Sequence, residues 1–154
     1  MRTPRIYLDT SVIGGYFDPE FTKWTKRLFA VLEAGRFVAV LSPVVVRELQ
    51  AAPARVQNLV KKTSAVRWEY AAVSADIDQL ADLYLLAGVV GKAFRDDCLH
   101  VATATVWDAD VLVSWNFRHI VRYDRIRAFN AVNLREGYRP IDIRSPMEVT
   151  ENDD

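Results

Sequence analysis

The chain is poor in residues that staple, ligate softly or anchor. It has one cysteine, Cys98, among 154 residues. That excludes an internal disulfide framework and suits a reducing compartment. Only two histidines, His100 and His119, stand beside that cysteine, which argues against a closed zinc site. No apolar run is long enough to span a bilayer, so no membrane partner is expected. Met1-Arg2-Thr3-Pro4 leads into a strand with no signal-peptide core, and the expected location is the cytoplasm. An excess of either charge is lacking too: Lys+Arg and Asp+Glu both number 20. Zero net charge argues against coating nucleic acid by bulk charge, while leaving room for a local basic patch. Internal repeats and linker composition are also missing.

What is present fits one soluble domain with a sizeable core: 51% of residues are apolar and 26% charged. We expect that domain over residues 1–146, with an acidic tail at 147–154 that frays. Arg5–Leu8 reads as a short buried strand and Ser11–Phe17 as a brief helix weakened by Gly14-Gly15. Glu20–Ala34 has helical periodicity, with Phe21, Trp24, Leu28, Val31 and Leu32 on one face and Gly35 just past its end. Phe37–Leu41 is a second buried strand. Ser42-Pro43 then supplies a cap and a first-turn proline for a helix over Val44–Ala51. Pro53 opens a further segment, Ala54–Lys62, and Val66–Val73 reads as partly extended. Ser74 begins a helix that ends near Gly88. Gly91–Arg95 is expected as loop, Asp96–Trp107 as an Ala- and Thr-rich helix, and Asp110–Ser114 as a strand. Phe117–Ile126 reads as mixed loop and helix, with short late strands at Ala131–Leu134 and Ile141–Ile143. Strands alternating with helices predict an α/β fold with a mostly parallel sheet covered on both faces.

The acids then fall into a pattern. Asp9 ends the first strand, and Glu48 lies about one and a half turns into the helix after the second. Asp97 opens the Ala-rich helix, and Asn116 follows the strand at Val111. In a parallel sheet these positions share one edge, where such folds keep their ligand sites. Carboxylates that close repel one another and become protonated unless a cation offsets them. Hard oxygen donors select Mg²⁺ or Mn²⁺, and such an ion suits phosphodiester hydrolysis. Each residue also has a plain structural role open to it. Asp9 could cap the next helix, Glu48 beside Arg47 could be a solvated face, Asp96 and Asp97 could be first-turn dipole partners, and Asn116 a turn residue. Their common edge is what favours a site.

The ordered set Leu8-Asp9-Thr10-Ser11, Ser42-Pro43 through Glu48-Leu49, Asp97-Cys98-Leu99-His100-Val101-Ala102-Thr103-Ala104 and Leu112-Val113-Ser114-Trp115-Asn116-Phe117 resembles the PIN domain family (PilT N-terminus-like). It is most similar to the toxin ribonucleases of type II toxin–antitoxin pairs, from Ile6 to about Ile143. The resemblance implies a three-layer α/β/α sandwich with about five strands and an acidic Mg²⁺ or Mn²⁺ site that cuts RNA. It implies Asp9, Glu48 and Asp97 as metal ligands, Ser11 orienting Asp9, Ser114 supporting the last loop, and Asn116 completing the catalytic set. It also implies a cognate antitoxin and a homodimer; the early helical stripe of Phe21, Trp24 and Phe29 is by default core packing, and part of it is a candidate dimer face or groove for an antitoxin helix. Many family members carry Asp where this chain has Asn116, which weakens a second metal position. Asp96 is the alternative to Asp97, but adjacent helix residues point about 100° apart, so both cannot face one crevice.

Around these residues, His100 shares a helix face with Asp97, as a hydrogen-bonded core histidine or as a proton relay. Cys98 faces away from Asp97 and reads as buried and inert. The stretch Arg118-His119-Ile120-Val121-Arg122, with Arg125 and Arg127 beyond, is the most basic part of the chain. Arg118 and Arg122 are candidates for RNA phosphate contacts. Lys61-Lys62 and Lys23, Lys26 and Arg27 are further candidates. Two other functions compete. A phosphatase of the haloacid dehalogenase type also starts with a strand-tip Asp, but it needs a second Asp where this chain has Ser11. A PIN-like module with a weakened metal site would bind RNA or protein without turnover, and Asn116 keeps that reading open.

Overall fold

Arg5–Leu8 forms the first strand, β1, and Ile6, Tyr7 and Leu8 are wholly buried, as a strand covered on both faces requires. Val38–Leu41 (β2), Trp68–Tyr70 (β3), Val111–Val113 (β4) and Asp142–Arg144 (β5) complete a parallel sheet in the order β3-β2-β1-β4-β5. Tyr7 lies opposite Val40 on one side and Leu112 on the other. The edge strands are short, and on β5 the exposed pair Asp142 and Arg144 blunts the open edge. This computed structural model describes residues 2–150.

Parallel strands need crossover connections, and helices supply them. Thr10–Gly15 (α1) and Thr22–Glu33 (α2) join β1 to β2. Pro43–Leu49 (α3), Ala54–Gln57 (α4) and Leu59–Lys62 (α5) lead to β3. Ala75–Leu86 (α6), a 3₁₀ turn at Lys92–Phe94 and Arg95–Val106 (α7) cross back to β4. Tyr123–Arg135 (α8) connects β4 to β5, and Pro146–Thr150 (α9) follows. The crossovers run one way from β1 through β2 to β3 and the other way from β3 through β4 to β5, and the right-handed rule for such connections puts their helices on opposite faces. Accordingly α9 packs on α2, while α6 packs on α7 and α8. The three-layer α/β/α sandwich is therefore present, and its strand order reverses between β1 and β4, the switch point beyond whose carboxyl ends such folds keep their ligand sites.

Several elements differ from expectation. Ala131–Leu134 is the last part of α8, not a strand. Its buried face is Phe129, Val132 and Asn133, and the polar Asn133 interrupts the apolar stripe that would have marked a helix. Asn133 is fully buried because its carboxamide accepts from the Tyr84 hydroxyl and donates to Thr105 Oγ1 at 3.3 Å. Gly137, at φ 85°, ends that helix in the left-handed conformation that glycine tolerates. The segment Gly91–Arg95 is partly ordered as the 3₁₀ turn. The tail expected from residue 147 begins inside α9; residues 151–154 lie outside the described residues. No helix among the described residues is long and apolar enough to cross a membrane.

One packing detail fixes the loop after β4. Trp115 is buried against Gly15, donates from Nε1 to Thr25 Oγ1 at 2.9 Å and stacks on Phe21 at 4.4 Å between ring centroids. A Cβ on Gly15 would lie 2.7 Å from Trp115 Cδ1, whereas one on Gly14 would meet nothing within 4 Å. The indole has no room to yield, so Gly15→Ala is expected to cost about 1–3 kcal/mol. Gly14→Ala removes a helical glycine and is expected to gain about 0.5–1 kcal/mol. Urea unfolding of the two variants reads both signs; a Gly15→Ala protein as stable as the parent would contradict this packing.

Candidate active site

Asp9 leaves β1 at its carboxyl end and is only 3% exposed. Its Oδ1 accepts from Ser11 Oγ at 2.6 Å and from the Val12 N–H at 3.3 Å, and its Oδ2 accepts from Ser114 Oγ. The two hydroxyls are themselves fixed, because Ser11 Oγ accepts from the Trp115 N–H and Ser114 Oγ from the Asn116 N–H, both at 2.9 Å. Asp9 thus caps α1 and also stands at the carboxyl end of β1, so the capping role and the candidate site position coincide in one residue. Ser11 and Ser114 stand where a support for that carboxylate must stand.

Glu48 projects from α3 and keeps about a third of its side chain exposed, at 32%. Its Oε1 accepts from Thr10 Oγ1 at 2.7 Å and lies 2.7 Å from His100 Nε2. His100, 3% exposed, sits 2.7 Å by Nδ1 from the Tyr7 hydroxyl, which is 2.7 Å from Ser42 Oγ. A neutral His100 donating to Glu48 accepts from Tyr7 at Nδ1; a protonated one donates at both nitrogens, and the Tyr7 O–H turns to Ser42. Burial holds the Tyr7 phenol well above its ordinary range, so it remains a proton donor.

Asp97 lies in the first turn of α7 and turns toward the loop after β4. Its Oδ1 accepts from Asn116 Nδ2 at 3.2 Å, and its Oδ2 lies 2.9 Å from His119 Nδ1. The Asn116 carbonyl oxygen accepts from the His119 N–H at 3.0 Å, so its amide is committed at both ends. Asp96 turns outward to an exposed pair with Arg47 at 2.8 Å. Of the two neighbouring acids, Asp97 is the one directed inward, as the helix angle requires.

The electrostatics tie these groups together. Burial pushes the Asp9 carboxyl above its ordinary range, against the charge of His100 and its own hydrogen-bond donors. Burial likewise raises Asp97, with the Glu48 charge adding to it, against His119 and His100. The sequence led us to expect repulsion as the principal effect; desolvation is larger. Burial also works to raise Glu48, but the His100 and Thr10 hydrogen bonds and the charges of His100 and Arg47 hold it below the usual range. For His100 the penalty of burial is outweighed by the Glu48 hydrogen bond and the charges of Asp9, Glu48 and Asp97, which raise it. One buried imidazole therefore feels all three carboxylates. Among the described residues, no three His, Cys, Asp or Glu side chains are grouped, as placed, to hold one metal ion.

The remaining candidates divide. Arg118 is exposed and lies over the Phe94 ring at 5.8 Å, while Arg122 pairs with Asp124 at 2.8 Å. Lys23 and Arg27 lie over Trp24, and Lys26 over Tyr16, so that basic group packs on its own aromatics. Phe29 is buried and Phe21 stacks on Trp115, which commits most of the early stripe to the core. Cys98 is buried with its thiol pushed up to about 12 by burial, an inert group as expected. Sequence reasoning missed Thr10 and Tyr7 and assigned His119 to the basic surface. A signal existed for Tyr7: a phenol inside a fully buried strand needs a hydrogen-bond partner.

The parallel five-stranded sandwich with acids at its carboxyl edge is a PIN-like fold. Its similarity to a chain in the crystal structure of VapBC2 from Rickettsia felis, bound to a DNA fragment from their promoter, covers 92% of this chain and 98% of that one. The TM-score is 0.56 and the identity 16%, a likeness of fold. No protein-family model and no curated protein matches the chain.

The Glu48–His100 pair has a defined pH window. Glu48, held down, adds stability above its ordinary value of 4.5 and loses it as acid protonates the carboxylate. His100, held up, adds stability below its ordinary value of 6.5 and loses it as pH rises through the raised value. In metal-free buffer, Glu48→Gln is expected to cost about 1–2 kcal/mol between about pH 5 and 6.5, discounted for the exposure of Glu48. Denaturant unfolding across pH should show that cost shrinking toward both acid and alkali; a cost independent of pH would contradict the pair.

Proposed function

We propose that the protein is a Mg²⁺- or Mn²⁺-dependent endoribonuclease that hydrolyses phosphodiester bonds of RNA, acting as the toxin of a type II toxin–antitoxin pair. The observation that carries this reading is the placement of three acids beyond the carboxyl edge of the sheet, with Glu48 bonded to the buried His100 and Asp9 and Asp97 near enough for their charges to act on it. Likeness of fold to a chain of VapBC2 supports it.

The donors suit a hard divalent cation in kind, although as placed no three of them are grouped around one ion, so binding would need Asp9, Glu48 and Asp97 to draw together or to reach the ion through its waters. Three carboxylates supply oxygens, and two of them are raised by burial, a cost that a cation relieves. Asp9, Glu48 and Asp97 would hold the ion, directly or through its waters. When bound, such an ion activates water and neutralises charge on a phosphodiester. The chain's own groups do the rest. Ser11 and Ser114 hold the Asp9 carboxylate, Thr10 and His100 hold Glu48, and Asn116 and His119 hold Asp97. Asn116 acts by orienting Asp97, which accounts for an amide in place of a fourth acid. Arg118 is the better placed cation for an RNA phosphate, because Arg122 is occupied by Asp124.

The reading carries with it a cognate antitoxin, a homodimer and a cytoplasmic setting. The antitoxin is supported by a neighbour whose structure is of a VapBC2 assembly. A module that binds RNA or protein without turnover is the second reading. It is favoured by the uncharged Asn116 and by carboxylates already engaged with donors of their own.

The test is Mn²⁺-dependent cleavage of single-stranded RNA by the parent and Asp9→Asn. The parent should cut and EDTA should stop it; the variant should lose about 100-fold or more. Asparagine keeps the cap and removes a carboxylate whose ionised form is costly, since the native-state stability falls as pH rises from 3.8 through the raised value. The variant's Tm in EDTA should therefore be unchanged or higher by about 2–4 °C at neutral pH. Cleavage retained in Asp9→Asn would refute the site, and binding without cleavage by the parent would favour the second reading.

A further inference from the structure

Two partly exposed aromatic rings, each next to a residue that contacts Asp97, have no part in the proposed chemistry. Phe94, in the 3₁₀ turn just before α7, is 36% exposed, and Phe117, directly after Asn116, is 47% exposed. Each ring is tied to a neighbour of Asp97. The Phe94 ring lies 4.0 Å between centroids from His119, the same imidazole that contacts Asp97. Phe117 continues from Asn116, whose amide donates to Asp97, and its ring is braced edge-on by Trp115 at 5.9 Å. Trp115 is locked in turn by Thr25 and Phe21, so Phe117 stands on a rigid support.

The charge at this surface matches the same kind of ligand. Arg118 lies over Phe94 and has no carboxylate partner among the described residues, and Lys92 is exposed on the turn that carries Phe94. A flat apolar face paired with a guanidinium is what an unpaired nucleobase and its phosphate would meet. A paired helix would keep its bases stacked inside and leave the rings uncovered.

We propose that Phe94 and Phe117, with Arg118, form a nucleobase-stacking platform for an unpaired ribonucleotide beside Asp97. This deepens the nuclease reading and rests on it for the choice of RNA as ligand. The platform would select single-stranded segments by stacking, with little preference for sequence, and would set an unstacked nucleotide against the acidic crevice.

The experiment measures binding separately from cleavage. Fluorescence anisotropy in EDTA would follow a short labelled oligoribonucleotide, its duplex, and a series in which one base at a time is replaced by an abasic residue. The parent should prefer the single strand, and one or two abasic positions should weaken binding by about 5- to 150-fold. Phe94→Leu and Phe117→Leu keep apolar volume but lose the π face. They should bind less tightly by a similar factor and no longer sense the abasic position, while Phe→Trp at either site restores both. Circular dichroism confirms that the variants are folded. Leu variants that bind like the parent, equal binding of duplex, no effect of any abasic position, or no RNA binding at all would overturn the platform. Cleavage by a parent that shows no stacking would spare the nuclease reading, and stacking without Mn²⁺-dependent cleavage would spare the platform.

Discussion

A carboxylate at 3% exposure is the constraint on which this molecule turns. Burying an ionised Asp9 is expensive unless donors replace the lost water. Here three donors come from two parts of the chain: Ser11 and the Val12 amide from α1, and Ser114 from the loop after β4. Each hydroxyl is held by a further contact, so satisfying one carboxylate joins β1, α1 and the β4 loop at the point where the strand order reverses. The same bonds that make the burial tolerable shape the crevice. Stability and site geometry are, at this position, one problem with one solution.

The other acids follow the same logic with different partners. Glu48 is held through His100 to Tyr7 and Ser42, a line that runs from the crevice into the core between β1 and α3. Asp97 is held by Asn116 and His119 on the loop that Trp115 anchors. His100 feels the charge of all three acids and lies among them as a buried, polarisable group. Each acid is thus held by donors of its own: Asp9 and Glu48 by hydroxyls at the start of α1, Glu48 also by His100 of α7, and Asp9 and Asp97 by the loop after β4.

Much of this was legible in the residues. Apolar runs at Ile6–Leu8 and Val38–Leu41 flagged buried parallel strands, and Ser42-Pro43 marked the start of α3. Asp9, Glu48 and Asp97 were placed at one edge by topology alone, and helix geometry separated Asp97 from Asp96. The failures have physical causes. Asn133 masked the buried face of α8, because a polar residue satisfied by Tyr84 and Thr105 looks like a surface residue in a pattern. Thr10, Tyr7 and His119 were missed as partners because hydrogen bonds between residues 38, 93 and 22 positions apart leave no local signature. Exposure is equally hidden: Phe94 fell in an expected loop and Phe117 at the start of a mixed segment, and nothing in the pattern marked either ring as exposed.

The account stands or falls on whether distant oxygens gather around one ion. A crystal of the protein soaked in Mn²⁺, with anomalous diffraction recorded, tests that most directly. A single anomalous peak among the side chains of Asp9, Glu48 and Asp97 is the expected result. A fully soaked crystal with no peak there, or with manganese only elsewhere on the surface, would contradict it.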